Sequence, residues 1–195
     1  RNFYNSNYNN NNKLSIISVD GTFNNTNLNS FNGTLETSLN MGYYDTINDV
    51  PIDLTYNGPN KKNTELEQLK KYIEEKKLTN IIIVADRAYF KYEFFEYLNS
   101  KNIYFVIRIK SNSHLLTTTN KNNKQKELIN KLKNTSRFIQ FKTTNEKTLL
   151  SKKGDTIKVN EMIDYNLITN LNNIKDYSDS DIKVIYNSRW KVETY

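Results

Sequence analysis

Asn80-Ile-Ile-Ile-Val-Ala-Asp86-Arg-Ala-Tyr89 decides the fold: five apolar residues, Ile81 to Ala85, run without a polar break and stop at an acid. A run of this length, rich in β-branched side chains, predicts a strand buried on both faces, as parallel strands between helices are. A second apolar run, from about Leu14 to Val19, stops in the same way at Asp20, with the turn-permissive Gly21 behind it. Two strands that each end in a carboxylate are the first sign of a site.

Working outward, Gly33 to Tyr44 and Val50 to Tyr56 read as two further strands joined by a turn at Asp45 to Asp49. The second of them alternates Val50, Ile52, Leu54 and Tyr56 against Pro51, Asp53 and Thr55, the period-two signature of a strand. Thr64-Glu-Leu-Glu67 has the form of a capping box and opens a helix through about Lys77, with Leu66, Leu69 and Ile73 as its apolar stripe. A second helix is predicted from Tyr92 to Ser100 and a strand from Tyr104 to Ile109. This element order predicts an α/β fold, a mixed sheet flanked by helices.

From about 111 to 161 the pattern weakens, with a helical stretch near Leu128 to Leu132 and short alternating pieces near Phe138 to Phe141 and Thr156 to Val159. Fifty residues are too many for a plain loop, and they read as an inserted subdomain before the last strand and helix. That strand is expected at Tyr165 to Leu171, and Ser178-Asp-Ser-Asp181 caps the last helix. On it Tyr186, Arg189 and Glu193 stand at i, i+3 and i+7 and share one face. Trp190, one step round, is expected in the core.

The bulk numbers bound what such a chain does. At 195 residues one substantial core is expected, over residues 13–195, and the Asn-rich opening, residues 1–12, reads as a disordered tail. A start at Arg1 and a stop at Tyr195 within a helical pattern read as a fragment of a longer protein. Asparagine makes up about one residue in six, a compositional bias of AT-rich coding.

A net charge of +7 favours an anionic partner, nucleic acid foremost. The absence of cysteine excludes a disulfide framework and a thiolate metal site, and the single His114 cannot anchor zinc alone. No run approaches the roughly 18 apolar residues of a membrane span and no signal peptide is visible, so an intracellular protein without a membrane partner is expected.

Acids on neighbouring strand ends, joined by a helical acid from a distant segment, can hold two divalent cations about 3.5–4 Å apart for phosphoryl transfer. Carboxylates suit Mg²⁺, a hard cation that prefers oxygen ligands, and Mn²⁺ can substitute. The donor set expected here is Asp20, Asp86 and Glu193, and the chemistry is phosphodiester cleavage. Taken singly, acids at strand ends are commonplace in α/β folds, and only their combination with a helical Tyr and Arg points to function.

The chain also resembles the DDE transposases of the bacterial insertion-sequence-four type, whose catalytic core is ribonuclease-H-like. The matching pieces are Val19-Asp-Gly-Thr22, Ala85-Asp-Arg-Ala-Tyr89, Phe105-Val-Ile-Arg-Ile-Lys110 and Leu167-Ile-Thr-Asn-Leu171. Tyr186, Arg189 and Glu193 match three members of that family's Tyr-Arg-Glu-Lys signature, whose Lys would fall beyond Tyr195. The resemblance implies that Asp20, Asp86 and Glu193 are catalytic metal ligands. It implies that Tyr186 and Arg189 face transposon-end DNA.

Arg87, Arg108 and Lys110 are further candidates for the phosphate backbone, although charges at strand ends are often merely solvated. Phe138, Phe141 or Tyr165 would have to supply any base-stacking ring in the insertion. The implied partners are double-stranded DNA, as transposon ends and target, and a second copy of the chain in a dimer on DNA. Two alternatives stand beside this reading: a ribonuclease-H-like nuclease that does not transpose, and a degenerate or domesticated remnant that binds DNA without cutting it.

Overall fold

A computed structural model of the chain describes residues 14–26, 36–57, 64–109, 122–150 and 156–193. The expected Asn-rich tail, Lys110 and His114 lie outside the described residues. In chain order the elements are β1 (Ser15–Thr26), β2 (Glu36–Asp45), β3 (Val50–Asn57), α1 (Glu65–Glu75), β4 (Ile81–Ala85), a 3₁₀ turn (Arg87–Tyr89), α2 (Tyr92–Ser100), β5 (Tyr104–Ile109), α3 (Asn123–Thr135), β6 (Arg137–Leu150), β7 (Thr156–Thr169), α4 (Asp179–Asn187) and the one-turn α5 (Trp190–Glu193).

All seven strands form one sheet in the order β3-β2-β1-β4-β5-β7-β6. β1, β2 and β3 make an antiparallel meander, β4 and β5 run parallel to β1, and β7 returns antiparallel to β5. This is the mixed α/β sheet flanked by helices expected from the sequence. Between 111 and 161 the described residues form α3, β6 and the first part of β7, and the long β6–β7 ladder runs from Arg137↔Thr169 to Leu150↔Thr156.

Every side chain of β4 is buried, which its unbroken apolar run requires. Ile81, Ile83 and Ala85 join a core with α1 and α2, through Leu69, Ile73, Phe94, Phe95 and Leu98. Ile82 and Val84 join the core on the other face, with Ile182, Ile185 and Tyr186 of α4. Burying each of the Ile and Val side chains of β4 stabilises the fold by roughly 1.5–3 kcal/mol, so β4 is firmly seated.

Both predicted caps form. The Thr64 N–H donates to Glu67 Oε2 at 2.8 Å and the Glu67 N–H to Thr64 Oγ1 at 3.3 Å. At α4 the Ser178 N–H donates to Asp181 Oδ2 at 2.8 Å and the Asp181 N–H to Ser178 Oγ at 3.2 Å.

One boundary differs in a way that matters. β1 does not stop before Asp20 but continues to Thr26, because antiparallel pairing with β2 holds Asp20 opposite Gly42 and carries on to Thr26↔Glu36. What ends near Asp20 is the parallel ladder to β4, whose last pair is Ser18↔Val84. Sequence periodicity marked the change of neighbour rather than the end of the strand.

Candidate active site at the ends of the parallel strands

The register of β1 against β4 runs from Ser15↔Ile81 to Ser18↔Val84. Carried two residues on, it sets Asp20 level with Asp86, on adjacent strands just beyond the last ladder bond. Ile16 belongs to the core on the α4 face, and strand alternation puts Ser18 and Asp20 on that face too. Asp86 caps the 3₁₀ turn, its Oδ1 accepting from the Ala88 N–H at 2.6 Å. The second carboxylate is thereby fixed by its own backbone.

Glu193 approaches from α5, which lies against β1 and β2. A Cβ on Gly42 would stand 3.4 Å from Val192 Cγ2, so a glycine in β2 lets this helix lie close. Lys191 Nζ donates to Asp49 Oδ1 at 2.6 Å and to the Thr46 carbonyl at 3.3 Å, pinning α5 to the β2–β3 turn. The predicted single helix is broken: α4 ends at Asn187, Ser188 and Arg189 form a turn, and α5 follows. The Ser18 hydroxyl reaches the Ser188 carbonyl at 3.5 Å across that break.

Arg189 is 5 % exposed and donates through Nη1 to Glu193 Oε1. Its charge also acts on the neighbouring Tyr186 phenol, lowering the phenol's rise on burial. Burial pushes the Asp20 carboxyl above the usual carboxylate range; Arg189 opposes this, while Glu193 and Asp86 push the same way. Asp20, Asp86, Arg189 and Glu193 therefore lie within one electrostatic neighbourhood. Among the described residues no three acidic or histidine side chains are close enough to form a closed ligand set. The carboxylate oxygens present fit a hard divalent cation, and Glu193 would have to give up Arg189 to join such a set.

The other expected contacts are placed less openly. Tyr186 is 1 % exposed, packed in the α4-face core with its ring 6.1 Å from that of Tyr165, and so turns inward rather than toward a ligand. Arg108 stacks its guanidinium 3.8 Å from the Tyr165 ring and donates to the Tyr165 hydroxyl at 3.1 Å. Phe141 stacks on the same tyrosine with centroids 5.4 Å apart. Arg87 is exposed on the 3₁₀ turn beside Asp86.

Trp190 corrects an expectation: it is 51 % exposed rather than in the core. Around the Ser188–Arg189 turn the backbone bonds tighten to i→i−3, from Arg189 to Tyr186 and from Val192 to Arg189, so the spacing of one continuous α-helix no longer sets which side chain faces inward. Its indole instead lies under Arg189, 4.6 Å from the guanidinium carbon.

Sequence reading missed one acid. Glu65, the first residue of α1, comes so close to the chain beside Asp20 that a Cβ on Gly21 would meet Glu65 Cγ at 2.6 Å. Burial pushes its carboxyl up; the neighbouring Tyr89 phenol opposes this, and Asp86 and Asp20 add to the rise. The only signal for it was Gly21, which read equally well as a turn.

A cleft of about 430 Å³ opens beside these groups, lined by Asp20, Thr22, Asn40, Leu54, Val192 and Glu193 among others. Among the described residues no helix is long and apolar enough to cross a membrane.

Comparison with known proteins gives the family. No curated protein matches the sequence significantly. Among solved structures, the piggyBac transposase in a synaptic complex with hairpin DNA, determined by cryo-EM, superposes with a TM-score of 0.48 at 12% identity, over 92% of this chain and 39% of that one. This chain thus spans well under half of that transposase. The family model described as "Transposase DDE domain" matches residues 12–195, nearly the whole sequence, and the chain belongs to the transposase DDE domain family.

Proposed function

We propose that this chain is the catalytic domain of a cut-and-paste DNA transposase of the insertion-sequence-four type, hydrolysing phosphodiester bonds at transposon ends and transferring the freed strand to target DNA. The observation that carries the reading is the level placement of Asp20 and Asp86 on neighbouring strands within a transposase DDE domain. Asp20, Asp86 and Glu193 hold the divalent ions, two Mg²⁺ replaceable by Mn²⁺. When bound, such ions activate water and neutralise charge on the phosphate.

The protein's own part is placement. β1 and β4 fix two carboxylates through buried backbone, and α5 brings the third. Arg189 neutralises Glu193 and Asp20, and with cations held by the acids its guanidinium would be free to grip a phosphate. Arg87, Arg108 and Lys110 contact the DNA backbone, and Tyr186 acts by packing beside Arg189 rather than by touching DNA. Transposon ends and target DNA are the partners, bound by two copies of the chain, inside the cell.

The test is cleavage of DNA carrying the element's ends by the full-length protein in Mg²⁺. Asp20→Ala, Asp86→Ala and Glu193→Ala should each abolish cutting while circular dichroism stays native. Cutting retained by any one of them removes that residue from the site. The ion pair that engages Glu193 favours a second reading, a remnant that binds DNA without cutting. Binding that weakens steeply with salt, needs no metal and yields no cut product would establish it.

A further inference from the structure

Glu65 is the acid that the proposed reaction leaves without a part, and its surroundings are specific. Its side chain lies flat on the Gly21 backbone, where an added Cβ would fall 2.6 Å from Cγ, 2.7 Å from Cδ and 3.0 Å from Oε1. On its other side is Tyr89, fully buried at the end of the 3₁₀ turn that Asp86 caps. The Tyr89 hydroxyl donates to Met41 Sδ at 3.7 Å and lies beside the Glu65 carboxylate, and burial with that acid beside it holds the phenol well above its ordinary range.

Gly21 follows Asp20 directly, and Tyr89 is tied back to Asp86 by its own N–H, which donates to the Asp86 carbonyl at 3.4 Å. Glu65 thus touches both strand ends at the points where the β1–β4 ladder no longer joins them. The capping box built on Thr64 holds the first turn of α1, and Leu66 and Leu69 seat the helix in the core, so the strut is rigidly mounted. An ordinary surface glutamate at a helix N-terminus would extend into water.

We propose that Glu65 is a positioning residue of the cation site: by bridging the Gly21 backbone and the Tyr89 hydroxyl, it sets the separation of Asp20 from Asp86 and adds a third negative charge behind them. The inference rests on the assignment of Asp20 and Asp86 as metal ligands. Groups that orient metal ligands from behind commonly contribute a factor of about ten or more to affinity.

The test is Mn²⁺ binding by the full chain, followed through the paramagnetic resonance signal of free Mn²⁺, without DNA or turnover. Glu65→Gln keeps the shape and removes the charge, and should weaken Mn²⁺ binding about tenfold while the metal-free melting temperature stays native. Tyr89→Phe, which deletes one hydroxyl from a buried ring, should weaken it in the same direction, and Glu65→Asp should not restore it, because the shorter side chain cannot span both contacts. Native affinity in Glu65→Gln, or in Tyr89→Phe should the first variant not fold, overturns the positioning role. Asp86→Asn separates the two ideas: native Mn²⁺ binding in that variant overturns the metal-ligand assignment itself, whatever Glu65 does.

Discussion

Asp86 and Glu193 hang from opposite kinds of scaffold. Asp86 ends a strand with all five side chains buried between two cores. Glu193 ends a four-residue helix with no buried residue of its own, held by Val192 against Gly42, by Lys191 on the β2–β3 turn and by the buried Arg189. Hydrophobic burial is non-directional and adds up over many contacts, whereas α5 depends on a few polar ones. One acid of the proposed site is thus built into the fold, and another is attached to it.

The sharpest way to break the strand side is Phe105→Ala. Phe105 is fully buried on β5 and stacks 4.8 Å from Phe95, so its loss should lower the unfolding free energy by about 3–5 kcal/mol in urea denaturation. Both cores and the helices should weaken together. If only α2 loosened, the central sheet would not be the unit described here.

Arg189→Met acts on the other scaffold. It leaves Glu193 and Asp20 without the cation between them, and should cost about 1.5–3 kcal/mol. Hydrogen exchange should quicken in α5 and leave β4 protected. Equal loss of protection in both would erase the contrast.

A smaller effect appears only in alkali and sharpens the strand side further. Burial pushes the Tyr43 phenol up to about 12, while in the unfolded chain it titrates near 10. A raised folded value means the proton is held by the native state, so this contribution is complete below pH about 10 and is lost as pH rises toward about 12. Tyrosinate absorbance should show a late-titrating group, and stability should fall across that window. Tyr89 and Tyr97 also titrate late, so Tyr43→Phe should remove one late step and leave others.

The smallest effect is predicted for Leu54→Lys. Leu54 is 70 % exposed on the edge strand β3, and stability should stay within about 0.5 kcal/mol of native.

Much of this was legible because it is local. The β4 run, the α2 span and both caps follow from periodicity and side-chain-to-backbone bonding within a few residues, and they appear where the sequence puts them. The length of β1 was not legible, since its outer half is held by β2 rather than by its own pattern. Glu65 was hidden for the same reason, because its partners Gly21 and Tyr89 are distant in sequence. The break at Ser188–Arg189 misled the reading of Trp190, since nothing in Asn187-Ser-Arg-Trp190 interrupts helical spacing as Pro or Gly would.

The register that sets Asp20 level with Asp86 also times the appearance of the site. Ser15 pairs with Ile81, and Val106 with Thr169, so the middle of the sheet closes only through large loops. At a synthesis rate of roughly 5–20 residues per second, the interval between the emergence of Asp20 and that of Glu193 is on the order of ten seconds. Throughout it Asp20, and later Asp86, stand in the growing chain without Glu193. Whatever the assembled carboxylates do, no chain does it before Glu193 has been made.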